Sequence, residues 1–196
     1  MRLCELFTIL PEDYGRLPAI PPNKPTFDPK YSKVVGTFDG IDIWGSRELR
    51  GYDIFGIRDE TGVLAYLILS NGERNGAIPM RELWTSPTAR GHGYATILLL
   101  FVLRKLRQRV LLSHDEVISD DARSFILKGV AANKFKAYSV SGVLQTVDAV
   151  QQQLSVLGKT DTELVLSEQA VPYDVFGMED GSMKEPWYVR GEEGLD

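Results

Sequence analysis

The chain has 196 residues, 43% of them hydrophobic, with 22 Lys and Arg against 27 Asp and Glu, a formal net charge of −5. A chain of this length buries roughly 70% of its unfolded surface, so its core needs no staples, and the single cysteine, Cys4, excludes an internal disulfide framework or a multi-cysteine zinc site. No metal is expected, and one lone cysteine fits a reducing, cytoplasmic setting. The longest apolar run, Ile97 to Leu103, is far short of the ~20 residues that cross a bilayer. The N-terminus reaches Pro11, Glu12 and Asp13 before any long apolar stretch, so neither a membrane span nor a signal peptide is expected. The acidic balance also argues against nucleic acid as a partner.

Six of the ten prolines lie in the first 29 residues, and proline removes a ladder donor, so residues 1–33 read as an extended arm. Beyond it, Val34–Phe38 and Ile41–Trp44 flank Asp39-Gly40, a two-residue hairpin turn. Tyr52–Ile57 and Val63–Leu69 form a second predicted hairpin, and a strand from about Ala77 to Thr85 extends the meander. Consecutive hairpins of this kind predict an antiparallel sheet. From Gly93 to Arg109 the apolar residues Ala95, Leu98, Leu99, Val102, Leu103 and Leu106 recur at helical spacing, with basic residues gathered at the end where they suit the helix dipole. Val110–Leu112 reads as a short buried strand. Ser119-Asp120-Asp121 reads as the capped start of a helix reaching about Lys128, and Phe135–Val140 as a strand. Val143–Leu157 reads as a helix and Glu163–Leu166 as a strand. Residues 177–196 carry six acids against two bases and read as a solvated tail.

The stretch that carries chemistry runs from Trp84 to Ala95. A strand ends, Pro87 blocks its continuation, and Gly91 and Gly93 open a helix whose first N–H groups lack intrahelical partners. Such a turn is an anion cradle, to which Arg90 adds charge, and a pyrophosphate-bearing ligand suits it best. Two rival phosphate motifs fail. There is no G-x-x-x-x-G-K-[ST], and Thr96 stands where a dinucleotide fingerprint needs its third glycine; the preceding strand also reads as part of a meander and not of a βαβ unit. Arg90-Gly91-His92-Gly93-Tyr94-Ala95 does satisfy Q/R-x-x-G-x-G/A, and Pro87 extends the match to P-x-x-R-G-x-G-x-A.

This motif resembles the acyl-coenzyme A signature of the GNAT superfamily of N-acetyltransferases, and the resemblance covers roughly residues 34–140. It implies an α/β (α+β) fold with a mixed, mostly antiparallel central sheet flanked by helices, completed by residues 141–176. It implies acetyl-CoA as cofactor, with the pyrophosphate on the backbone N–H groups of Arg90, Gly91, His92, Gly93, Tyr94 and Ala95. The pantetheine arm would then pair with the strand end Leu83, Trp84 and Thr85. Ser119 and Ala122 resemble the family's N-x-x-A element beside that arm.

Acetyl transfer needs a neutral amine, a polarised thioester and a proton for the departing thiolate. Candidate bases are Glu82, on the strand entering the signature, and Asp115 or Glu116. The family's usual proton-donating tyrosine falls at Ile126, so Ser124 or Tyr138 would have to stand in. Plainer readings stand beside these: a ligand-free turn for the glycines, a solvated charge for Arg90, and bystander roles for His92 and His114. The leading expectation is an acetyltransferase acting on an amine of an unknown acceptor, with a protein among the candidates. The alternatives are a catalytically silent protein of the same shape that docks a partner, and a nucleotide-binding protein of another fold.

Overall fold

The Asp39-Gly40 turn shows why the meander forms where it does: both residues take left-handed φ, 53° and 76°, which matches the twist of the strands they join. The computed structural model describes residues 24–113, 119–157 and 162–168. Five strands run antiparallel in sequence order: β1 (Ser32–Phe38), β2 (Ile41–Ser46), β3 (Tyr52–Asp59), β4 (Gly62–Ser70) and β5 (Ile78–Thr85). Then come α1 (Tyr94–Leu100), β6 (Val110–Leu112), α2 (Asp120–Ala131), β7 (Lys136–Tyr138), α3 (Val147–Val156) and β8 (Leu164–Ser167). Among the described residues the sheet has eight strands in the order β1-β2-β3-β4-β5-β6-β8-β7, with β5 and β6 its one parallel pair. The mixed, mostly antiparallel sheet with helices is the expected fold class.

Three boundaries differ from the sequence reading, each for a local reason. The helix expected to reach Arg109 is α-helical only to Leu100 and continues as a π turn over Phe101–Lys105, closed by Leu106 N–H on Phe101 O. Phe101, Val102 and Leu103 are all buried, and widening the turn brings three consecutive residues onto the core. Arg107 then takes a positive φ of 54° and ends the helix. The helix expected from Val143 starts at Val147, capped by Thr146, because Leu144 bridges Tyr138 and Gln145 N–H donates to Ala137 O along the edge of β7. Finally, β5 does belong to a βαβ crossover: it closes the meander on one side and pairs in parallel with β6 on the other. The acidic stretch 177–196 lies outside the described residues.

Among the described residues all three α-helices pack on one face of the sheet, where Leu98, Leu99, Ile126, Val150 and Leu154 meet Phe55, Leu67, Ala137 and Leu166. The opposite face carries a separate cluster of Phe27, Tyr52, Ile54, Tyr66 and Ile68, flanked by Trp44 and Trp84. Phe27 reaches it from ahead of β1 and is 0% exposed, lying where a Cβ on Gly56 would meet its ring. The backbone around it is fixed: Thr26 and Asp28 N–H donate to the Glu48 carboxylate at 2.8 and 2.7 Å, and the Arg58 guanidinium donates to Phe27 O at 3.0 Å. Phe27→Ala is expected to cost about 3–5 kcal/mol, and Gly56→Ala about 1–3 kcal/mol through overpacking. Urea midpoints check this: both should fall with m unchanged, and Phe27→Leu should restore part of the loss in the Gly56→Ala background.

Candidate active site

The site is built on β5, whose two edges behave differently. Toward β4 the ladder runs to Ala65↔Thr85 and on through Ser86 N–H to Leu64 O. Toward β6 it consists of two pairs, Ile78↔Val110 and Pro79↔Leu111, after which no described strand borders that edge. Leu83 and Thr85, which alternate with the β4-bonded Trp84, therefore carry backbone groups on an edge that no described strand pairs with.

A bulge decides which side chains face which way. The register passes from Leu69↔Met80 to Ile68↔Glu82, leaving Arg81 as an extra residue. Met80, before the bulge, packs toward the helices, as does Leu83 after it. Glu82 and Trp84 consequently share the opposite face with Tyr66 and Ile68. There the Tyr66 hydroxyl donates to Glu82 Oε1 at 2.7 Å, and the Tyr66 ring stacks on Trp84 with centroids 5.2 Å apart. Burial, reinforced by the Glu82 carboxylate, drives the Tyr66 phenol well above its ordinary range. Sequence reasoning named Glu82 and Trp84 but missed Tyr66, which only the cross-strand register brings to them.

The chain beyond β5 forms the cradle. Pro87–Ala89 make one 3-10 turn, Ala89 N–H donating to Ser86 O at 2.9 Å, and buried Ala89 anchors it. Arg90 is extended, Gly91 has φ 84°, and Gly93, with φ 82° and ψ 4°, is the N-cap of α1. Both values lie in the left-handed region that favours glycine. No side chain caps α1, and its first bond is Ile97 N–H to Gly93 O, so the N–H groups of Tyr94, Ala95 and Thr96 have no intrahelical acceptor. A Cβ on Gly91 or Gly93 would point into open space, the volume an anion in the cradle would fill. Exposed His92 is held by its own loop, Nδ1–H donating to Ala89 O at 3.2 Å, with its ring parallel to that of Tyr94.

Arg90 reaches the start of α2, where its guanidinium lies 3.7 Å from Asp121. Ser119 caps that helix, its Oγ accepting from Ala122 N–H at 3.2 Å. The structure thus brings together Glu82, Leu83, Trp84, Thr85, the Arg90–Ala95 loop and, through Asp121, the α2 start. Tyr138 is not among them. It lies on β7, separated from β5 by β6 and β8, with its ring buried beside Ala77, Leu111 and Val165, and burial raises its phenol pKa. Ile126 is buried in the helix-side core. His114, Asp115 and Glu116 lie outside the described residues. Among the described residues no group of three or more His, Cys, Asp or Glu is placed to hold a metal ion, and no helix is long and apolar enough to cross a membrane.

No protein-family model matches the chain, and no curated protein matches it. Solved structures do match. One is the Bacillus subtilis N-acetyltransferase YlbP in complex with coenzyme A, at 16% identity over 57% of this chain and 65% of that one, with a TM-score of 0.35. Another is N-acetylglutamate synthase from Neisseria gonorrhoeae, complexed with coenzyme A and N-acetyl-glutamate, at 18% identity over 61% of this chain and 27% of that one, also with a TM-score of 0.35. The chain thus spans less than two thirds of the length of either.

The raised Tyr66 pKa gives a pH prediction with a definite sign. The unfolded chain releases this proton first, near pH ~10, so the stabilisation is complete below that value and is lost as pH climbs toward the folded pKa. Between pH 9 and 11 the Tm of the wild type should fall more steeply than that of Tyr66→Phe, as followed by thermal denaturation.

Proposed function

We propose that the chain is a GNAT-like acyltransferase that binds acetyl-CoA at the Arg90–Ala95 cradle and moves the acetyl group to an amine. The observation that supports this most is the conjunction on β5: a strand edge at Leu83–Thr85 that no described strand pairs with leads, through the Pro87–Ala89 turn, into an uncapped helix N-terminus entered through two left-handed glycines. A long ligand with an amide-bearing arm and a pyrophosphate needs both features in that order. Free N–H groups and a helix dipole suit a diphosphate without requiring positive net charge, and Arg90 can leave its exposed, 3.7 Å contact with Asp121 for a phosphate. Ser119 would sit beside the arm while capping α2.

The coenzyme would supply an activated acyl group as its thioester. The chain's part is to orient that thioester along β5 and to take a proton from the incoming amine. We assign this to Glu82, which faces away from the helices and accepts the Tyr66 hydroxyl's hydrogen bond; Asp115 and Glu116 remain candidates. A protein acceptor and a cytoplasmic setting belong to the same proposal, as does the division into an arm (1–33), a coenzyme-binding core (34–140), a completing helix and strand (141–176) and a tail (177–196). One observation favours a second reading, a silent docking protein of the same shape: Ile126, where the resemblance implies a proton-donating tyrosine, is a core residue.

Calorimetry with acetyl-CoA should give saturable binding below the millimolar range. Arg90→Ala combined with Gly93→Asp should weaken it at least ~tenfold, the loss of a charged contact and the insertion of a like charge. Absence of saturable binding, or indifference to the double substitution, would sink the coenzyme reading. For catalysis, Glu82→Gln should lower kcat by about 10²-fold with coenzyme affinity unchanged; tight binding with no turnover by the wild type would favour the docking protein.

A further inference from the structure

On the proposed acceptor side of β5, a lysine of the chain itself occupies the surface. Lys24 Nζ lies 3.7 Å from the centroid of the Trp84 ring, well inside the ~6 Å over which a cation is attracted to an aromatic face. Trp84 and Glu82 share one face of β5, and Tyr66 ties them together by stacking on the first and donating to the second. Lys24 is not carried there on a loose chain. Pro25 and Phe27 are buried, and the flanking backbone is held by Glu48 and Arg58. A primary ammonium on an unbranched stem is thereby held on an aromatic ring of β5, the strand that also carries the candidate base. An exposed cation–π contact is a weak and reversible attraction, which the nitrogen can leave.

We propose that Lys24 is an acceptor in cis: the chain acetylates its own Lys24 Nζ at the Trp84–Glu82 surface. The inference rests on the acyltransferase reading above. The nitrogen gives up two protons, one to solvent and one to sulfur. Its C–N bond to the acyl carbon forms as the C–S bond breaks, leaving Nε-acetyl-Lys24 and free coenzyme A thiol. The amide product has no charge and loses its attraction to the ring, so Trp84 is released for an external amine of the same chemistry, a lysine side chain.

Full-length protein incubated with isotopically labelled acetyl-CoA and mapped by peptide mass spectrometry tests this. Lys24 should be labelled at least tenfold faster than Lys30, which lies over the Tyr31 ring at 5.0 Å and serves as the internal control. Its rate should not depend on protein concentration, and Trp84→Leu should bring Lys24 down to the Lys30 rate. A readout independent of transfer is the NMR shift of the Lys24 ε-methylene protons, expected upfield in the wild type and normal in Trp84→Leu. Saturable coenzyme binding and turnover of an external amine, with Lys24 labelled no faster than Lys30, would overturn the proposal and leave the acyltransferase reading standing. Absence of coenzyme binding by calorimetry would overturn both, and the comparison of Lys24 with Lys30 in the wild type needs no variant to fold.

Discussion

Much of this structure follows from one extra residue in β5. Side chains alternate across a strand, so without the bulge at Arg81 Glu82 would follow Met80 onto the helix-packed face, among Leu98, Leu99 and Val102. An unpaired carboxylate there would cost several kcal/mol, more than any local packing gain could offset. The bulge removes that conflict. It sends Leu83 into the core in place of a charge and turns Glu82 toward Tyr66, where a hydroxyl can satisfy it.

The same strand separates two tasks by geometry. Its edge, freed after two parallel pairs with β6, offers backbone groups, and its continuation into Gly91 and Gly93 offers N–H groups at a helix start. Its outer face offers a carboxylate and stacked rings. A chain of net charge −5 gains no help from long-range attraction in holding a polyanion. Fixed N–H dipoles act at contact distance, where screening over ~8 Å does little to weaken them. The coenzyme proposal draws on the edge and loop of this element and the Lys24 proposal on its outer face; the second depends on the first, and the first can stand without it.

The meander, the signature loop and the Ser119-capped helix were legible because each is written in local chemistry. Asp39-Gly40 specifies a hairpin turn, Ser119 specifies a cap, and the Gly91 and Gly93 spacing specifies a left-handed entry to a helix, whereas the Thr146 cap was not read. What was not legible depends on partners far along the chain. The bulge at Arg81 appears only when β5 is laid against β4, the placement of Tyr66 beside Glu82 is a matter of that register, and the insertion of β8 between β6 and β7 removes Tyr138 from the site. The π turn at Phe101 answers to core packing and not to propensity. Proline content points to an arm over residues 1–33, of which 1–23 lie outside the described residues, and does not show that Phe27 packs over Gly56.

The most direct measurement is residue-resolved: amide ¹H–¹⁵N shifts recorded while coenzyme A is titrated into the full-length protein. A pyrophosphate in the cradle and an arm along the open edge predict the largest, saturable changes at Gly91 through Thr96 and at Leu83 through Thr85, with the amides of β1 and β2 unmoved. Saturable changes centred elsewhere on the fold, or none at these N–H groups, would contradict it.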